Sequence, residues 1–337
     1  MKTERLTAEQ TARAGEILKK GGLVAIPTET VYGLAANALD GNAVARIFQA
    51  KGRPMDNPLI VHIAGIEELD PLVAFVPSTV YDLAEAFWPG PLTIILEKSD
   101  LIPDEVSAGL DTVAVRMPAH PLARKIIRAA GVPLAAPSAN TSGKPSPTTA
   151  KHVLDDLDGK VEAVLDGGAC SVGVESTVIT LATRHPRVLR PGKVTPEELS
   201  AVLGEDVEID DAVLHRMEEG AVAASPGMKY KHYSPKANVV IVTGTIEAFT
   251  DYVNKRDPKT TAALVFDGEE KNLHCTCLPF GKEKDDLAHA NRLFADLRKC
   301  DDLGMKNVYV RCPGKTGVGL AVMNRLLRAA AFEIIEL

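Results

Sequence analysis

The segment Lys51–Ile63, KGRPMDNPLIVHI, places a cationic, proline-rich loop directly before a short apolar strand. Residues 42–50, which precede it, carry apolar side chains at helical spacing, so a helix is predicted to end at this loop. Residues 59–63 are predicted to form a strand because four of the five are aliphatic. A helix, a charged loop and a buried strand in succession predict an α/β or α+β sheet whose loops carry the function.

Lys51, Arg53 and Asn57 are hydrogen-bonding side chains of this loop, which also holds one glycine and is stiffened by two prolines. Arginine offers a planar fork of donors and lysine a compact charge, which together suit a multiply charged anion such as phosphate. The dipole of the preceding helix would also favour cations here without any ligand. Phosphate binding and a simple helix terminus therefore both remain open.

Two further polar loops follow predicted strands. Pro137–Pro145, PSANTSGKP, comes after the strand at 134–136 and leads to Ser146 at a predicted helix start, where free backbone N–H groups favour anions. Pro27–Leu34, PTETVYGL, follows the strand at 23–26, and its hydroxyls and carboxylate suit a small polar ligand. The alternative for this second loop is a turn whose threonines cap the next helix.

Single polar residues also stand within or at the ends of predicted strands. Arg116 ends the strand at 112–115, where it could clamp a carboxylate or reach solvent. His62 lies inside an apolar strand and is, taken alone, more typical of a core residue. The sequence has no Gly-x-Ser-x-Gly or His-Glu-x-x-His motif. These patterns predict catalysis by holding charged substrates together rather than by a covalent nucleophile.

Length and composition predict a globular protein of two domains. The chain has 337 residues, 45% hydrophobic and 25% charged, and a net charge of −7. No region is strongly basic, so a surface that coats nucleic acid is not expected. An apolar stretch long enough to cross a membrane and a signal peptide are both absent, which predicts a cytoplasmic protein.

The cysteines and one short motif exclude other classes of site. Five cysteines, an odd number, argue against a disulfide framework. The run 274–277, HCTC, is too tightly spaced for a zinc knuckle. Gly314-Lys315-Thr316 is similar to the end of a phosphate-binding P-loop, but Tyr309 stands where the first glycine is required, so a turn is predicted.

The composition changes after the first domain, predicted at 1–205. Residues 206–236 are predicted to form a linker, and its part at 225–236 holds Tyr230, His232 and Tyr233. This part could cover a neighbouring site or serve as a solvated tether. Strand and helix patterns restart at 237–337 and predict a smaller domain with a parallel sheet.

Taken together, the motifs resemble those of the YrdC-like threonylcarbamoyl-AMP synthases. The resemblance rests on five segments, with sequences GGLVAIPTETVYGLA, KGRPMDNPLIVHI, PSAN, ESTV and VLRPG, at 21–35, 51–63, 137–140, 175–178 and 188–192. The Lys-x-Arg pair at 51 and 53 and the Ser-x-Asn pair at 138 and 140 are similar to the family signature. The segments at 232–235 and 319–326 resemble the two-domain, Sua-type members.

The resemblance implies a fold and a reaction. The fold is a twisted sheet with flanking helices around a large concave cleft, followed by a smaller, Rossmann-like three-layer domain. The enzyme would be a nucleotidyltransferase that condenses L-threonine, hydrogencarbonate or CO2 and ATP to threonylcarbamoyl-AMP and pyrophosphate. Its product would serve N6-threonylcarbamoyladenosine formation at tRNA position 37, through downstream threonylcarbamoyl-transfer proteins. A weak direct contact with tRNA stays open.

The resemblance also assigns residues. The catalytic signature would be Lys51, Arg53, Ser138 and Asn140. The threonine pocket would be lined by Thr30, His62, Arg116, Ala136 and Ser176. ATP would be held by Arg53, Asn57, Thr112, Ser138, Ser146, Arg190 and, from the linker, Tyr233, with Tyr230 as the alternative tyrosine. Mg²⁺ would arrive with the nucleotide and need no dedicated protein ligands.

Two other functions compete with this assignment. An RNA-binding translation factor could use a cationic cleft without catalysis, and strongly salt-dependent RNA affinity would reveal it. YrdC-like domains also occur in hydrogenase-maturation carbamoyltransferases, but zinc-finger-like and acylphosphatase segments are not visible in this sequence. Comparing threonine with carbamoyl phosphate as the activator of ATP cleavage would separate the two enzymes.

Overall fold

The computed structural model describes residues 2–216, 225 and 232–337. They divide into two compact units, the first comprising 2–142 and 146–213, and the second 143–145, 214–216 and 232–337. Residues 226–231, which include Tyr230 and make up half of the segment 225–236, lie outside the described residues. The predicted domain limits at 205 and 237 therefore stay predictions.

Strands of the first unit form one mixed sheet. Within the described residues it contains eleven strands, in the order β1-β8-β2-β3-β7-β4-β6-β5-β9-β10-β11. The strands are β1 Glu4–Leu6, β2 Val24–Ile26, β3 Gly33–Asn37, β4 Ile60–His62, β5 Leu92–Glu97, β6 Thr112–Arg116, β7 Leu134–Ala135, β8 Ala163–Leu165, β9 Thr177–Thr180, β10 Arg187–Arg190 and β11 Glu208–Ile209. The mixture of parallel and antiparallel pairs confirms the predicted α/β (α+β) class.

Helices connect these strands. They are α1 Thr11–Lys19, α2 Gly41–Lys51, α3 Ser78–Phe87, α4 Asp104–Ser107, α5 Pro121–Ala130, α6 Ala150–Leu157 and α7 Pro196–Leu203. The helix predicted at 42–50 is α2, which Asp40 caps by accepting hydrogen bonds from the backbone N–H groups of Asn42 and Ala43. It ends at Gly52, whose φ of 61° is the left-handed conformation that glycine tolerates. The cationic loop therefore starts where the sequence predicted.

The start predicted for the first helix was wrong. Thr7 and Gln10 fit the Thr-x-x-Gln pattern of a capping box, which predicts a helix start at Thr7, but α1 begins at Thr11. The Gln10 side-chain oxygen accepts from the backbone N–H of Thr7 at 2.9 Å, so this polar pair stabilises the turn before the helix. The same two residue types serve a turn as readily as a helix terminus, which explains the error.

The sheet is buried on both faces around β2. Leu23 and Ala25 belong to one hydrophobic cluster, and Val24 and Ile26 belong to another. Because successive residues of a strand point to opposite faces, an unbroken apolar run is needed when both faces are covered. The run Leu23–Ile26 therefore reads as a continuous apolar segment rather than an alternating one.

The second unit contains a parallel sheet, as predicted. Its described strands are ordered β14-β13-β15-β12-β16, and every pair between them is parallel. Its elements are β12 Asn238–Thr243, α8 Ile246–Val253, β13 Thr261–Val265, β14 Thr276–Pro279, α9 Asp286–Asp302, β15 Asn307–Arg311, α10 Gly317–Ala329 and β16 Ile334–Glu336. In neither unit does a described helix have the length and apolar character required to cross a membrane. All five cysteines are free thiols.

Candidate active site

Polar side chains of the candidate site share one face of the first sheet. Strand residues two apart lie on the same face, so His62 accompanies Ile60, Arg116 accompanies Ala114 and Thr93 accompanies Ile95. The apolar members of this face form one small buried cluster, which comprises Ile60, Ile95, Ala114, Val178 and Leu189. The parallel pairing of β4 with β6 sets His62 directly beside Arg116. These polar side chains therefore lie together on one face of the sheet, next to this apolar cluster.

A β-bulge brings Arg190 to the same face. Val188 pairs with Ile179, but the next pair joins Arg190, rather than Leu189, to Val178. Two residues of β10, Leu189 and Arg190, thus oppose one residue of β9, Val178. The extra residue interrupts the alternation, so the Arg190 side chain lies on the same face of the sheet as that of Leu189. Simple alternation from Leu189 would have predicted the opposite face for Arg190.

Arg116 is held by three partners at the centre of this face. Its Nη2 donates to a carboxylate oxygen of Glu29 at 2.5 Å, its Nη1 to the hydroxyl of Thr30 at 3.0 Å, and its Nε to the backbone oxygen of Gly90 at 3.2 Å. Only 4% of Arg116 and 8% of Glu29 are exposed. Burial alone would raise the pKa of the Glu29 carboxyl, but the Arg116 guanidinium lowers it below its usual value. Arg116 and Glu29 therefore form a buried, ionised pair.

Thr30 continues this network into the Pro27–Leu34 loop. Its hydroxyl lies 2.8 Å from that of Thr28, which donates to the backbone oxygen of Val31 at 2.6 Å. The Thr28 hydroxyl also accepts from the backbone N–H of Val31 at 3.3 Å, which closes a turn. The next element is β3, so the alternative in which these threonines cap a helix was wrong.

His62 is a neutral side chain beside Arg116. It is 3% exposed, and its Nδ1 lies 3.1 Å from the backbone oxygen of Ile60. Burial and, second, the positive charge of Arg116 together lower the pKa of the imidazole to about 3. His62 can therefore offer hydrogen bonds at neutral pH but brings no charge.

Ser176 contacts both Arg190 and the Thr93 side chain of the neighbouring strand. Its hydroxyl lies 2.8 Å from that of Thr93 and accepts from Nη2 of Arg190 at 3.1 Å. Nε of Arg190 donates to the backbone oxygen of Ser176, also at 3.1 Å. Ser176 is fully buried and Arg190 is 6% exposed. The arginine expected to bind nucleotide is thus fixed by the serine expected to bind threonine.

Lys51 joins the two signature pairs. Its Nζ donates to the backbone oxygens of Ser138 and Asn140, at 2.5 and 2.6 Å, and lies 3.5 Å from the side-chain oxygen of Asn140. The lysine is 2% exposed. The ammonium group therefore fixes the backbone of the Ser-x-Asn loop, in addition to any charge it offers a ligand.

Arg53 and Asn57 lie together in the cationic loop. Nη2 of Arg53 donates to the backbone oxygen of Asn57 at 3.2 Å. Asn57 is 1% exposed, and neither the nitrogen nor the oxygen of its side-chain amide has a hydrogen-bond partner. Because a buried amide without partners is costly, these two atoms are suited to a ligand.

The remaining predicted residues of the first unit lie on or near this face. The hydroxyl of Ser146, fully buried, donates to a carboxylate oxygen of Glu175 at 2.5 Å. Ala136 is 6% exposed, and its backbone N–H donates to Ile60 at 3.0 Å. Thr112 begins β6 four residues before Arg116 and points to the same face. No described contact joins Thr112 to the others.

Tyr233 belongs to the second unit. Its ring lies 5.1 Å from that of Phe294, and the guanidinium carbon of Arg325 lies 5.8 Å from the ring centre. The tyrosine is 6% exposed within this packing. Its expected contact with the nucleotide stays a prediction, and Tyr230 lies outside the described residues.

A metal site made by the protein was also sought. Across residues 2–216, 225 and 232–337, no group of three or more His, Cys, Asp or Glu side chains is arranged to hold an ion. Mg²⁺ as a companion of ATP stays a prediction.

Three side chains of this face were not among the residues assigned to the site from the sequence. Glu29, Thr93 and Glu175 each contact a predicted residue, namely Arg116, Ser176 and Ser146. Glu29 and Glu175 lie inside the quoted motifs, so a carboxylate in a loop rich in cations and hydroxyls was the available signal. Thr93 gave no signal, because a threonine in a predicted strand is ordinary.

Two family models cover most of the chain. The Sua5_yciO_yrdC model, described as "Telomere recombination", matches residues 16–192, and the model described as "Threonylcarbamoyl-AMP synthase, C-terminal domain" matches residues 194–331. The chain therefore belongs to the Sua5 family of threonylcarbamoyl-AMP synthases. The predicted family, fold and enzyme class are thereby confirmed.

Similar proteins agree over almost the full length. A threonylcarbamoyl-AMP synthase of Pyrococcus abyssi is 45% identical over 99% of this chain and 97% of its own length. One from Bacillus subtilis is 44% identical over 97% of this chain and 94% of its own length. The crystal structure of P. abyssi Sua5 complexed with L-threonine has 42% sequence identity and a TM-score of 0.91, and it covers 100% of both chains.

Proposed function

We propose that this chain condenses L-threonine, hydrogencarbonate or CO2 and ATP to threonylcarbamoyl-AMP and pyrophosphate. The proposal is supported above all by the sheet face that sets Arg116, His62, Ser176 and Arg190 side by side. Membership of the Sua5 family and the relatives named threonylcarbamoyl-AMP synthase support it independently.

Arg116 is suited to the amino-acid carboxylate. Three of its five N–H groups are used by Glu29, Thr30 and Gly90, which fixes the plane of the guanidinium and leaves two N–H groups for a ligand. A fork fixed in this way binds a carboxylate without first losing side-chain freedom. The neutral ring of His62 lies beside it and can hydrogen-bond the substrate without adding charge.

The nucleotide is proposed to lie on the cationic loop and the bulge. Arg53 and the unpartnered amide of Asn57 supply donors on one side, and Arg190 supplies a second guanidinium. Ser138, whose backbone oxygen accepts from Lys51, adds a hydroxyl. Mg²⁺ accompanying ATP would screen the phosphate charges, and water would supply most of its ligands.

The proposed reaction has two steps. The threonine amine, once its ammonium form has lost a proton, forms a bond from nitrogen to the carbon of CO2 and releases a second proton, or to the carbon of hydrogencarbonate, from which a C–O bond breaks and water leaves. Both routes give the N-carboxylate. An oxygen of that carboxylate then attacks the α-phosphorus of ATP, and the bond to pyrophosphate breaks. The protein contributes orientation and charge stabilisation, because bringing several anions together is the main obstacle. No residue of the chain forms a bond to the substrates.

Pyrophosphate release tests the proposal. Release is measured with each of the twenty amino acids, with and without hydrogencarbonate. Threonine together with hydrogencarbonate is expected to give by far the fastest release. Equal release with all amino acids, or release that carbamoyl phosphate stimulates instead, would refute the proposal.

Arg116→Met is expected to lose activity, and it is compared with a control variant that replaces another arginine in the same way. It should abolish threonine-dependent release, because the carboxylate then has no guanidinium partner. Arg128→Met is the control, since Arg128 is an exposed arginine whose Nη2 donates to the backbone oxygen of Ala64. The control variant should retain the wild-type rate.

The tRNA-related roles are part of the same proposal. The product is proposed to supply N6-threonylcarbamoyladenosine formation, through proteins that transfer the threonylcarbamoyl group to tRNA. A mixed anhydride of this kind is labile, so a partner that accepts it promptly would be needed.

A further inference from the structure

Glu29 is a buried carboxylate within the site to which no role has been assigned. Oε1 pairs with Arg116 at 2.5 Å, while Oε2 is shielded from solvent and has no hydrogen-bond partner. Carboxylates are rarely buried with an unpartnered oxygen, because desolvation costs more than one ion pair returns. The ion pair with Arg116 accounts for one oxygen of this carboxylate, and the second oxygen needs a further explanation.

The charges around the proposed amino-acid pocket cancel. Arg116 carries a positive charge and Glu29 a negative charge, and His62 is neutral. The guanidinium has two N–H groups left for a carboxylate, one on Nη1 and one on Nη2, and Nη2 also donates to the carboxylate of Glu29. A bound carboxylate alone would leave this part of the site with a net negative charge, whereas a zwitterionic amino acid would leave it neutral.

We propose that Glu29 is a positioning and selectivity residue, which fixes the Arg116 fork and makes the pocket prefer a zwitterionic amino acid over the 2-hydroxy acid of the same shape. The inference rests on the proposed function, since it takes the amino acid as the substrate bound by Arg116. Glu29 acts on substrate in two ways. Its hydrogen bond holds the guanidinium, and its charge opposes a lone carboxylate and favours an ammonium group.

The test compares two compounds that differ only at carbon 2. L-Threonine carries an ammonium group there, and 2,3-dihydroxybutanoate of matching configuration carries a hydroxyl. Calorimetry measures the dissociation constants of both for the wild type, Glu29→Gln and Glu29→Asp. Glu162→Gln is the control, because it removes the carboxylate of a different ion pair, with Arg46, in the same unit.

Glu29→Gln should weaken threonine binding at least about tenfold, as expected when one charge of a buried pair is lost. The hydroxy acid should bind to this variant as tightly as to the wild type, or more tightly. Glu162→Gln should leave the preference unchanged. A loss of the same factor for both compounds in Glu29→Gln would mean a merely structural role and would overturn the inference.

Glu29→Asp decides the question if Glu29→Gln does not fold. Aspartate keeps the charge and shortens the side chain, so affinity for both compounds should fall while the preference for threonine persists. Loss of the preference in Glu29→Asp would overturn the inference. Wild-type protein that binds neither compound would instead refute the proposed function, and that outcome is distinct because failure of the Glu29 role leaves wild-type binding intact.

Discussion

The Nζ atom of Lys51 lies 2.6 Å from the backbone oxygen of Asn140, a residue 89 positions further along the chain. The same ammonium donates to the backbone oxygen of Ser138 at 2.5 Å. The end of α2 and the Ser-x-Asn loop are thereby held as one structural element. A compact cation with three donors suits several carbonyl oxygens at once, which a planar guanidinium does not.

Lys51→Ala should reduce threonine-dependent pyrophosphate release by well over about tenfold, because the loop that carries Ser138 and Asn140 loses its anchor and the site loses a charge. Lys51→Arg should restore little, since the planar fork cannot reach both carbonyl oxygens. Release assays on folded protein measure both. Lys19→Ala, an exposed lysine at the end of α1, is the control. Full activity of Lys51→Arg would contradict the anchoring role.

Ser176→Ala should raise the KM for threonine and for ATP together. The hydroxyl of Ser176 contacts both Thr93 and Arg190, so its removal disturbs both proposed pockets. Thr30→Val should raise mainly the KM for threonine, because the Thr30 hydroxyl contacts Arg116 and not Arg190. Steady-state kinetics with each substrate varied in turn separates the two patterns. An unchanged KM for ATP in Ser176→Ala would show that its contact with Arg190 is without effect.

Gly192→Ala should destabilise the first unit and weaken ATP binding. A Cβ atom at Gly192 would lie 2.3 Å from the backbone nitrogen of Thr177, so the segment after the bulge must move and carry Arg190 with it. Overpacking of this kind costs about 1–3 kcal/mol in the free energy of unfolding. Urea unfolding and nucleotide binding measure the two effects.

Gly204→Ala is the matched control for this glycine. No atom lies within 4 Å of a Cβ built at Gly204, where the φ of 69° closes α7. It should lose about 1 kcal/mol through backbone strain alone and bind ATP normally. Equal loss of ATP binding in both variants would count against a specific effect at Gly192.

Acid should destabilise the first unit partly through His62. Burial, and then Arg116, lower the pKa of this imidazole to about 3 in the folded protein, whereas an unfolded histidine titrates near about 6.5. Between these values the unfolded chain binds a proton that the folded chain does not. The free energy of unfolding therefore falls as the pH drops from about 6.5 towards 3.

His62→Asn should make this loss with falling pH shallower. Urea unfolding at pH 7 and pH 5 measures the difference for wild type and variant, and the exposed His185→Asn is the control. Glu29 also makes the free energy of unfolding fall with pH, at pH values below the ordinary pKa of a carboxyl, because its pKa is lowered on folding. An unchanged slope in His62→Asn would mean that the folded protein binds the proton at this histidine.

Local signals predicted several elements to the residue. The helices at Ser78–Phe87 and Pro121–Ala130 have the bounds expected from their patterns. Each begins at or directly after a proline, and Gly131, with a φ of 69°, closes the second. The short strands β14 and β16 were missed, because three or four residues at a sheet edge carry too little periodicity to detect.

The candidate site, like the fold, was predicted where the signal is local and not where it depends on a distant partner. Arg116 and Thr30 were expected in one pocket, and the structure joins them by a hydrogen bond of 3.0 Å. Glu29 was missed although it is adjacent to Thr30, because its importance lies in a partner 87 residues away. The predicted roles of all these residues in binding stay predictions until ligands are tested.

The sequence by itself determined the family, the alternation of most of the longer strands and helices, and the loops that carry polar groups, because capping, apolar runs and motif spacing are local properties. Only the tertiary structure decided that Lys51 holds the Ser-x-Asn loop and that Arg116 forms an ion pair with Glu29. It also decided that Arg190 lies on the same face of the sheet as His62 and Arg116, since one inserted residue in β10 reverses the alternation that sequence reading assumes. Register and bulges are set by packing between distant strands, and no single segment of the chain contains that information.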